Sequence, residues 1–398
     1  MRTNGFALFR GPGAREKAQR AATKVQRYNR RVVLEPEPVD GEPESGNAWY
    51  LAHALEEGGA FPLVHGFAVD EVRLCSGGTL GEFSFVTSRG GHTIAGRDPL
   101  GTRALYLDQG GTCITSDHRF ISQKALMLPR GGWVDLGSGD RGSALPPTRT
   151  PVRTIEEAAE TLCRLLDESV ARRVKGRKRV AVSFSGGLDS SIIAHLASRH
   201  AETVLCSAYT TRSGDRERTA KGASQLGLEF KAKEIGPEDA ARELRALDLP
   251  FEAGPMDKAL WCLYSTTSRL AAENHAEVTL LGQLADELFG GYMKYSLEAK
   301  KSEASAALMM ERDVAAAAER GFVRDEQAVS RFGEVRFPFA DQEVAGFAMG
   351  LPLSYKIARG ERKAVLRMSA SLIGLPDELA RAPKKAAQYS SGILKLVE

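Results

Sequence analysis

The hexapeptide Ser185-Gly186-Gly187-Leu188-Asp189-Ser190 constrains this chain more than any other stretch. A short apolar run, Val180-Ala181-Val182-Ser183-Phe184, precedes it, and an amphipathic segment from Ser191 to His200 follows. That order predicts a strand, a tight glycine loop and a helix N-terminus. The unpaired N–H groups and positive dipole end of such a terminus attract phosphate. Two consecutive glycines let the backbone approach an anion without a Cβ clash. No lysine follows the glycines, so the loop is not a Walker A loop. Ser185 and Ser190 offer hydroxyls instead, and Asp189 can hold Mg2+ between phosphates.

Around the loop, apolar and amphipathic runs alternate. Helices are predicted over 155–174, 215–226, 237–247 and 257–274, and strands over 203–209, 229–235 and 277–281. This alternation implies an α/β region with a parallel sheet and helices on both faces. Beyond Tyr292 the chain reads as mostly helical. Residues 1–145 have another texture, rich in Gly and poor in helical periodicity. Strand-like runs such as Thr79–Val86 and Ala104–Leu107 sit between turn signals at Gly90-Gly91, Asp98-Pro99 and Gly110-Gly111. A mainly β region is expected there. Within it, the basic, helical stretch Arg10–Arg31 and the acidic stretch Glu35–Glu44 read as solvated surface. A Pro/Gly-rich linker, roughly Gly137 to Pro151, separates the two textures and gives domains over 1–145 and 152–398.

Bulk composition excludes more than it selects. A chain of 398 residues with 42% hydrophobic and 26% charged residues can bury a full core. A net charge of +3 gives no global argument for nucleic acid or membrane binding. The cysteines at 75, 113, 163, 206 and 262 have neither metal-ligand nor C-x-x-C spacing. Buried thiols in a reducing cytoplasm are the simplest account. No apolar run is long enough to span a bilayer, and Met1 to Gly5 leads into no sustained apolar region. A cytoplasmic chain without membrane or nucleic-acid partners is expected.

A second motif, Gly282-Gln283-Leu284-Ala285-Asp286-Glu287-Leu288-Phe289-Gly290-Gly291-Tyr292, directly follows a predicted strand. Ligands bind at the carboxyl ends of parallel strands, so Asp286 should emerge on the same sheet edge as Asp189. Two carboxylates there could grip Mg2+ as hard oxygen ligands.

The S-G-G-x-D-S loop resembles the pyrophosphate loop of ATP pyrophosphatases, which cleave ATP between the α- and β-phosphates and adenylate a substrate. The A-D-E-L-F-G-G-Y run from Ala285 to Tyr292 resembles the asparagine synthetase B family, glutamine-dependent amidotransferases with an N-terminal hydrolase-like domain. Arg97 to Tyr106 is similar to the R-D-x-x-G-x-x-x-L-Y signature of that family's N-terminal domain. Glu334 to Asp341 is similar to its E-x-R-x-P-F-x-D segment, and Lys384-Lys385 before Gln388 to Gly392 to its C-terminal lysine segment.

The resemblance implies an N-terminal, mainly β, Ntn-hydrolase-like domain and a C-terminal ATP pyrophosphatase domain with a helical end. It implies ATP and Mg2+, with Asp189 and Asp286 on the metal. Ser185, Gly186, Gly187 and Ser190 would cradle phosphate, with Leu281 and Gly282 near the nucleotide. Glu334 and Arg336 would sit by the acyl-acceptor pocket, and Lys384 or Lys385 would stabilise the developing charge. The activity implied is a ligase that adenylates a carboxylate such as aspartate and transfers it to ammonia or another amine.

The chain departs from the family in places. The family's glutaminase nucleophile is an N-terminal cysteine, whereas Met1 here is followed by Arg2, Thr3 and Asn4. Cys75 and Cys113 are internal and lack the free α-amino group that serves as base, and Thr3 would need unusual processing. Absence of glutaminase activity is therefore expected, as in the related β-lactam synthetases. Gln283-Leu284 stands where an acid and a small residue are usual, and Leu228-Glu229-Phe230 stands where a histidine-bearing segment is usual. These departures leave the acyl substrate open, along with the nitrogen donor, a separate glutaminase partner and a homodimeric state. Lactam or macrolactam closure and a tRNA-modifying ATP pyrophosphatase are competing readings, as is a catalytically dead regulatory subunit, against which the intact Asp189 and Asp286 count.

Overall fold

A computed structural model describes residues 2–10, 13–26, 32–33, 38–40, 49–55, 63–68, 79–89, 92–121, 125–146, 152–383 and 390–398. Of these, residues 2–5, 22–26, 32–33, 38–40, 49–55, 63–68 and 88–89 are described in backbone only. Lys384, Lys385, Cys75 and Gly90-Gly91 lie outside the described residues. The chain divides into two compact units, Met1–Leu145 and Pro146–Glu398.

The first unit is built on one mostly antiparallel sheet in which twelve strands are described. Strand Arg2–Phe9 runs antiparallel to Trp49–Leu55 and Cys113–Thr115 and parallel to Leu63–Ala68. From Leu63–Ala68 the sheet continues through Gly81–Arg89, His92–Arg97, Gly132–Asp135 and Arg141–Ser143. Inward residues Phe6, Leu8, Val86, Ala95, Leu105 and Ile114 form its core. The basic stretch folds as helix Ala14–Gln26. It buries Ala14, Ala18 and Ala21 against Ala7, Phe9 and Cys113, with Arg15, Lys17 and Arg20 in solvent. These three alanines form one apolar stripe at helical spacing.

The turn at Arg97-Asp98 is tied down by both of its charged side chains. Arg97 donates to the carbonyls of Arg103 (2.7 Å), Leu128 (2.5 Å) and Gly101 (2.7 Å). The Asp98 carboxylate accepts from the N–H groups of Leu100 and Thr102, both at 2.9 Å, and from the Thr102 hydroxyl at 2.7 Å. Both charged side chains are occupied in fixing the chain reversal, which meets the need of buried polar groups for partners.

The second unit contains a five-stranded parallel sheet. In chain order its strands are Arg179–Ser183, Glu202–Tyr209, Glu229–Glu234, Val278–Leu280 and Glu334–Arg336, and their spatial order is 3-2-1-4-5. The three central strands are apolar because helices cover both faces: Val180, Ala181, Val182, Val204, Leu205, Cys206, Val278 and Leu280 are fully buried. The third strand is an edge and carries Glu229, Lys231, Lys233 and Glu234, charges that blunt edge-to-edge pairing. The predicted helices form over Ile155–Val174, Asp215–Leu226, Pro237–Leu244 and Pro255–Glu273. Proline at the first position of the last two and left-handed Gly227 after the second set their ends. The strand order reverses between the first and fourth strands, and the loops leaving those two carry both motifs. Ligands of open α/β sheets bind at such a switch point.

Candidate active site

The first strand ends at Ser183, and helix Leu188–Ala197 begins five residues later. Gly186 turns the chain at φ +66°, and a Cβ there would lie 3.2 Å from the Arg218 carbonyl oxygen. Both the left-handed backbone and the close approach call for glycine. Gly187 caps the helix without a side chain, so the first-turn N–H groups face outward unsatisfied by helix carbonyls. The Ser185 and Ser190 hydroxyls lie 3.1 Å apart and brace the loop from within. From behind, Arg218 donates to the Ser185 carbonyl (3.1 Å), pairs with Asp215 (2.8 Å) and reaches the Ser390 hydroxyl (3.2 Å).

Asp189 sits in the first turn of that helix, and Asp286 in the short helix Ala285–Phe289 after the fourth strand. The fold brings the two carboxylates together around Lys363, a residue without a role in the sequence reading. The Lys363 ammonium is 2.6 Å from both Asp189 oxygens and 2.7 Å from Asp286 Oδ1. Burial would push this amine down, but the two carboxylates override it and hold it above the usual lysine value. Lys363 precedes helix Ala364–Leu372 and adopts a left-handed backbone, φ +61°. The Arg362 guanidinium anchors it by donating to the Gly291 carbonyl at 2.8 Å. Gly291 and Gly282 are where side chains would collide. A Cβ at 291 would lie 1.9 Å from Asp286 Oδ1, and one at 282 would lie 3.3 Å from the Asp189 Cβ.

Above these groups opens a cavity of about 650 Å³ within the second unit. The loop residues Ser185, Asp189 and Ser190, with Gly282, Gln283 and Asp286, line one end. Phe184, Ala208, Leu260 and Leu263 give an apolar wall. The far wall is charged: Arg320 and Arg324 hold Asp257 at 2.9 and 3.1 Å, and Lys294 holds Asp313 at 2.5 Å. Glu287 also lines the cavity and accepts a hydrogen bond from the Tyr292 hydroxyl at 2.8 Å. Burial, then the neighbouring Asp286 charge, pushes its carboxyl up to about 7. Leu284, fully buried at φ +78°, bears the backbone strain of this turn.

The donor set fits a magnesium ion bound together with phosphate. A cation already lies between the carboxylates, in the form of the Lys363 ammonium, and hard carboxylate oxygens suit Mg2+. Among the described residues no group of three or more His, Cys, Asp or Glu is arranged for a metal. Mg2+ commonly takes one or two carboxylates and completes its shell with water and phosphate oxygens.

Other expected positions move. Leu281 is fully buried and donates its N–H to the Arg336 carbonyl (3.0 Å), so it extends the sheet ladder, and Gly282 alone of that pair lines the cavity. Glu334 and Arg336 lie outside the lining of this cavity. Glu334 starts the fifth strand, in register with Val278 and, through it, Val180. It therefore lies toward the amino ends of the strands, roughly 15 Å from the loop at ~3.3 Å per residue. Its carboxylate pairs with Arg336 (2.9 Å) and Arg177 (3.2 Å), and neither Glu334 nor Arg336 lines the cavity. Lys363 carried one signal in the sequence: a lysine just before an apolar helix opposes the helix dipole and needs some other reason to be there.

The family model for asparagine synthase matches residues 161–332 and 309–395, which span the whole parallel sheet, both carboxylates and Lys363. The chain belongs to the asparagine synthase family. It is 33% identical over 283 residues to "Putative asparagine synthetase (glutamine-hydrolyzing) 1" of Methanocaldococcus jannaschii, covering 62% of this chain and 52% of that one. It is 25% identical over 327 residues to asparagine synthetase domain-containing protein 1 of Gallus gallus, covering 58% and 51%. The chain thus spans about half the length of these curated relatives. Among solved structures it is similar to NMN synthetase from Francisella tularensis, at 12% identity and a TM-score of 0.32 over 61% of this chain and 79% of that one. A superposition that weak carries no argument.

Proposed function

We propose that this asparagine synthase family member is an AMP-forming amide synthetase. It would bind ATP in the 650 Å³ cavity, attach AMP to a carboxylate such as aspartate with release of pyrophosphate, and pass the acyl group to ammonia or another amine. One observation carries this reading: a glycine-capped helix N-terminus lies beside two carboxylates gathered around one cation, at the switch point of a parallel sheet.

The outward N–H groups of the Leu188–Ala197 helix would receive phosphate oxygens, and the Ser185 and Ser190 hydroxyls would orient them. Phe184, Leu260 and Leu263 offer apolar surface for a base. Asp189 and Asp286 would hold Mg2+, which when bound neutralises charge on the departing pyrophosphate. Lys363, whose ammonium lies within reach of both, would stabilise negative charge developing at the reacting phosphate or acyl carbon.

The nitrogen would not come from glutamine hydrolysed by this chain. Cys113 supports this: it is buried among Ala7, Phe9 and Ala18, and burial pushes its thiol up to about 12. A thiol in that environment is inert. The first unit would then be a degenerate glutaminase-like domain kept as scaffold.

The deciding experiment is ATP–pyrophosphate exchange on the full chain with Mg2+ and a panel of carboxylic acids. Exchange dependent on one acid is expected. Release of ADP and phosphate, with no acid giving exchange, would refute the reading.

A further inference from the structure

We propose that Lys363 is the resident cation of the two-carboxylate site, so that a divalent metal enters only together with nucleotide and only as the lysine ammonium is displaced. This rests on the nucleotide reading of the cavity and adds to it the order in which metal and nucleotide arrive. The geometry is that of an occupied site. One nitrogen lies within 2.7 Å of oxygens from both aspartates, and Lys363 is 1% exposed. Gly291 has no side chain where the Asp286–Lys363 pair packs against it, so the backbone itself makes room for the lysine.

A metal arriving alone would strand that ammonium. Lys363 is fixed at its backbone by helix Ala364–Leu372 and by the Arg362 bond to Gly291, so only its side chain can swing. Among the described residues, the other carboxylates lining the cavity are already engaged. Arg320 and Arg324 hold Asp257, Lys294 holds Asp313, Arg218 holds Asp215, and Tyr292 is bonded to Glu287. A buried ammonium without a counterion is strongly unfavourable. Mg2+ also gives up its water reluctantly. A triphosphate removes both obstacles, since its oxygens complete the metal's shell and offer the displaced lysine a new anionic partner.

The test is equilibrium dialysis of the full chain against Mn2+, with and without α,β-methylene-ATP. The wild-type chain should retain Mn2+ only when the nucleotide analogue is present. K363M, which keeps an unbranched side chain one atom shorter and without charge, and K363Q, a second neutral replacement, should bind Mn2+ alone at least about tenfold more tightly than wild type. That gain should vanish in K363M/D189N. Equal affinity of wild type and both lysine variants for Mn2+ alone would overturn the inference, as would a gain that survives D189N. No Mn2+ retention by wild type even with nucleotide would overturn the nucleotide–metal reading itself, and the inference with it.

Discussion

A single methyl group at position 291 probes the cation site without altering any charged side chain. Gly291 is outside the left-handed region, so alanine can adopt its backbone. The new Cβ would nevertheless lie 1.9 Å from Asp286 Oδ1 and 2.4 Å from the Lys363 Cε. Real Cβ atoms essentially never come within 3.0 Å of another heavy atom, so the carboxylate must retreat by about 1 Å. Its 2.7 Å contact with Lys363 then passes out of hydrogen-bond reach. Lys363 keeps both Asp189 oxygens, so the loss stays below the cost of an uncompensated buried charge. We expect Gly291→Ala to destabilise the chain by about 2–3 kcal/mol. Gly282→Ala is the matched control. Its Cβ would meet the Asp189 Cβ at 3.3 Å, which a shift of a few tenths of an ångström relieves, at about 1 kcal/mol or less. In an Asp286→Ala background the obstructing carboxylate is gone. There the methyl should cost about 2 kcal/mol less, a coupling that urea unfolding of the four-member cycle would measure. Additivity within about 0.5 kcal/mol, or equal costs at 282 and 291, would refute the reasoning.

Three further outcomes follow from the same geometry. Asp189→Ala and Asp286→Ala should each lower Mg2+-dependent pyrophosphate exchange by about a thousandfold, the loss of several kcal/mol of charge stabilisation, with an unchanged far-UV circular dichroism spectrum. The chain alone should release no glutamate from glutamine with or without ATP, and release at the rate of amide formation would send attention back to Thr3, Cys75 and Cys113. Burial pushes the Asp341 carboxyl up, but Arg173 and Arg172 override it and hold it below the usual carboxylate range. A depressed folded pKa adds stability above the unfolded value, and that stability disappears as pH falls through the folded one. Asp341→Asn should therefore flatten the loss of stability below about pH 4 in urea midpoints taken across pH, and an unchanged acid limb would contradict it.

The sequence carried what depends on local order. Period-3.6 and buried apolar runs foretold the helices at 155–174 and 215–226 and the central strands, because burial on both faces leaves a continuous apolar signature. Ser185 to Ser190 announced a helix N-terminus from its neighbours alone. Asp189 and Asp286 were also legible, since each lies in a motif that directly follows a predicted strand and parallel strands share one carboxyl edge. Glu334 carries no local mark of which end of its strand it occupies. As first residue it belongs to the amino edge, where Arg177 and Arg336 claim it.

Lys363 carried one weak local signal, but its partners were hidden for a different reason. It is 174 residues from its partner Asp189, and no periodicity links residues so far apart. Only the folded chain, with Arg362 pinned to Gly291 and the backbone at 363 turned left-handed, delivers that ammonium between two carboxylates. Local pattern determined the elements and one edge of the sheet. Long-range packing decided which charges share a site, because charge pairing depends on distance in space, to which separation along the chain is no guide.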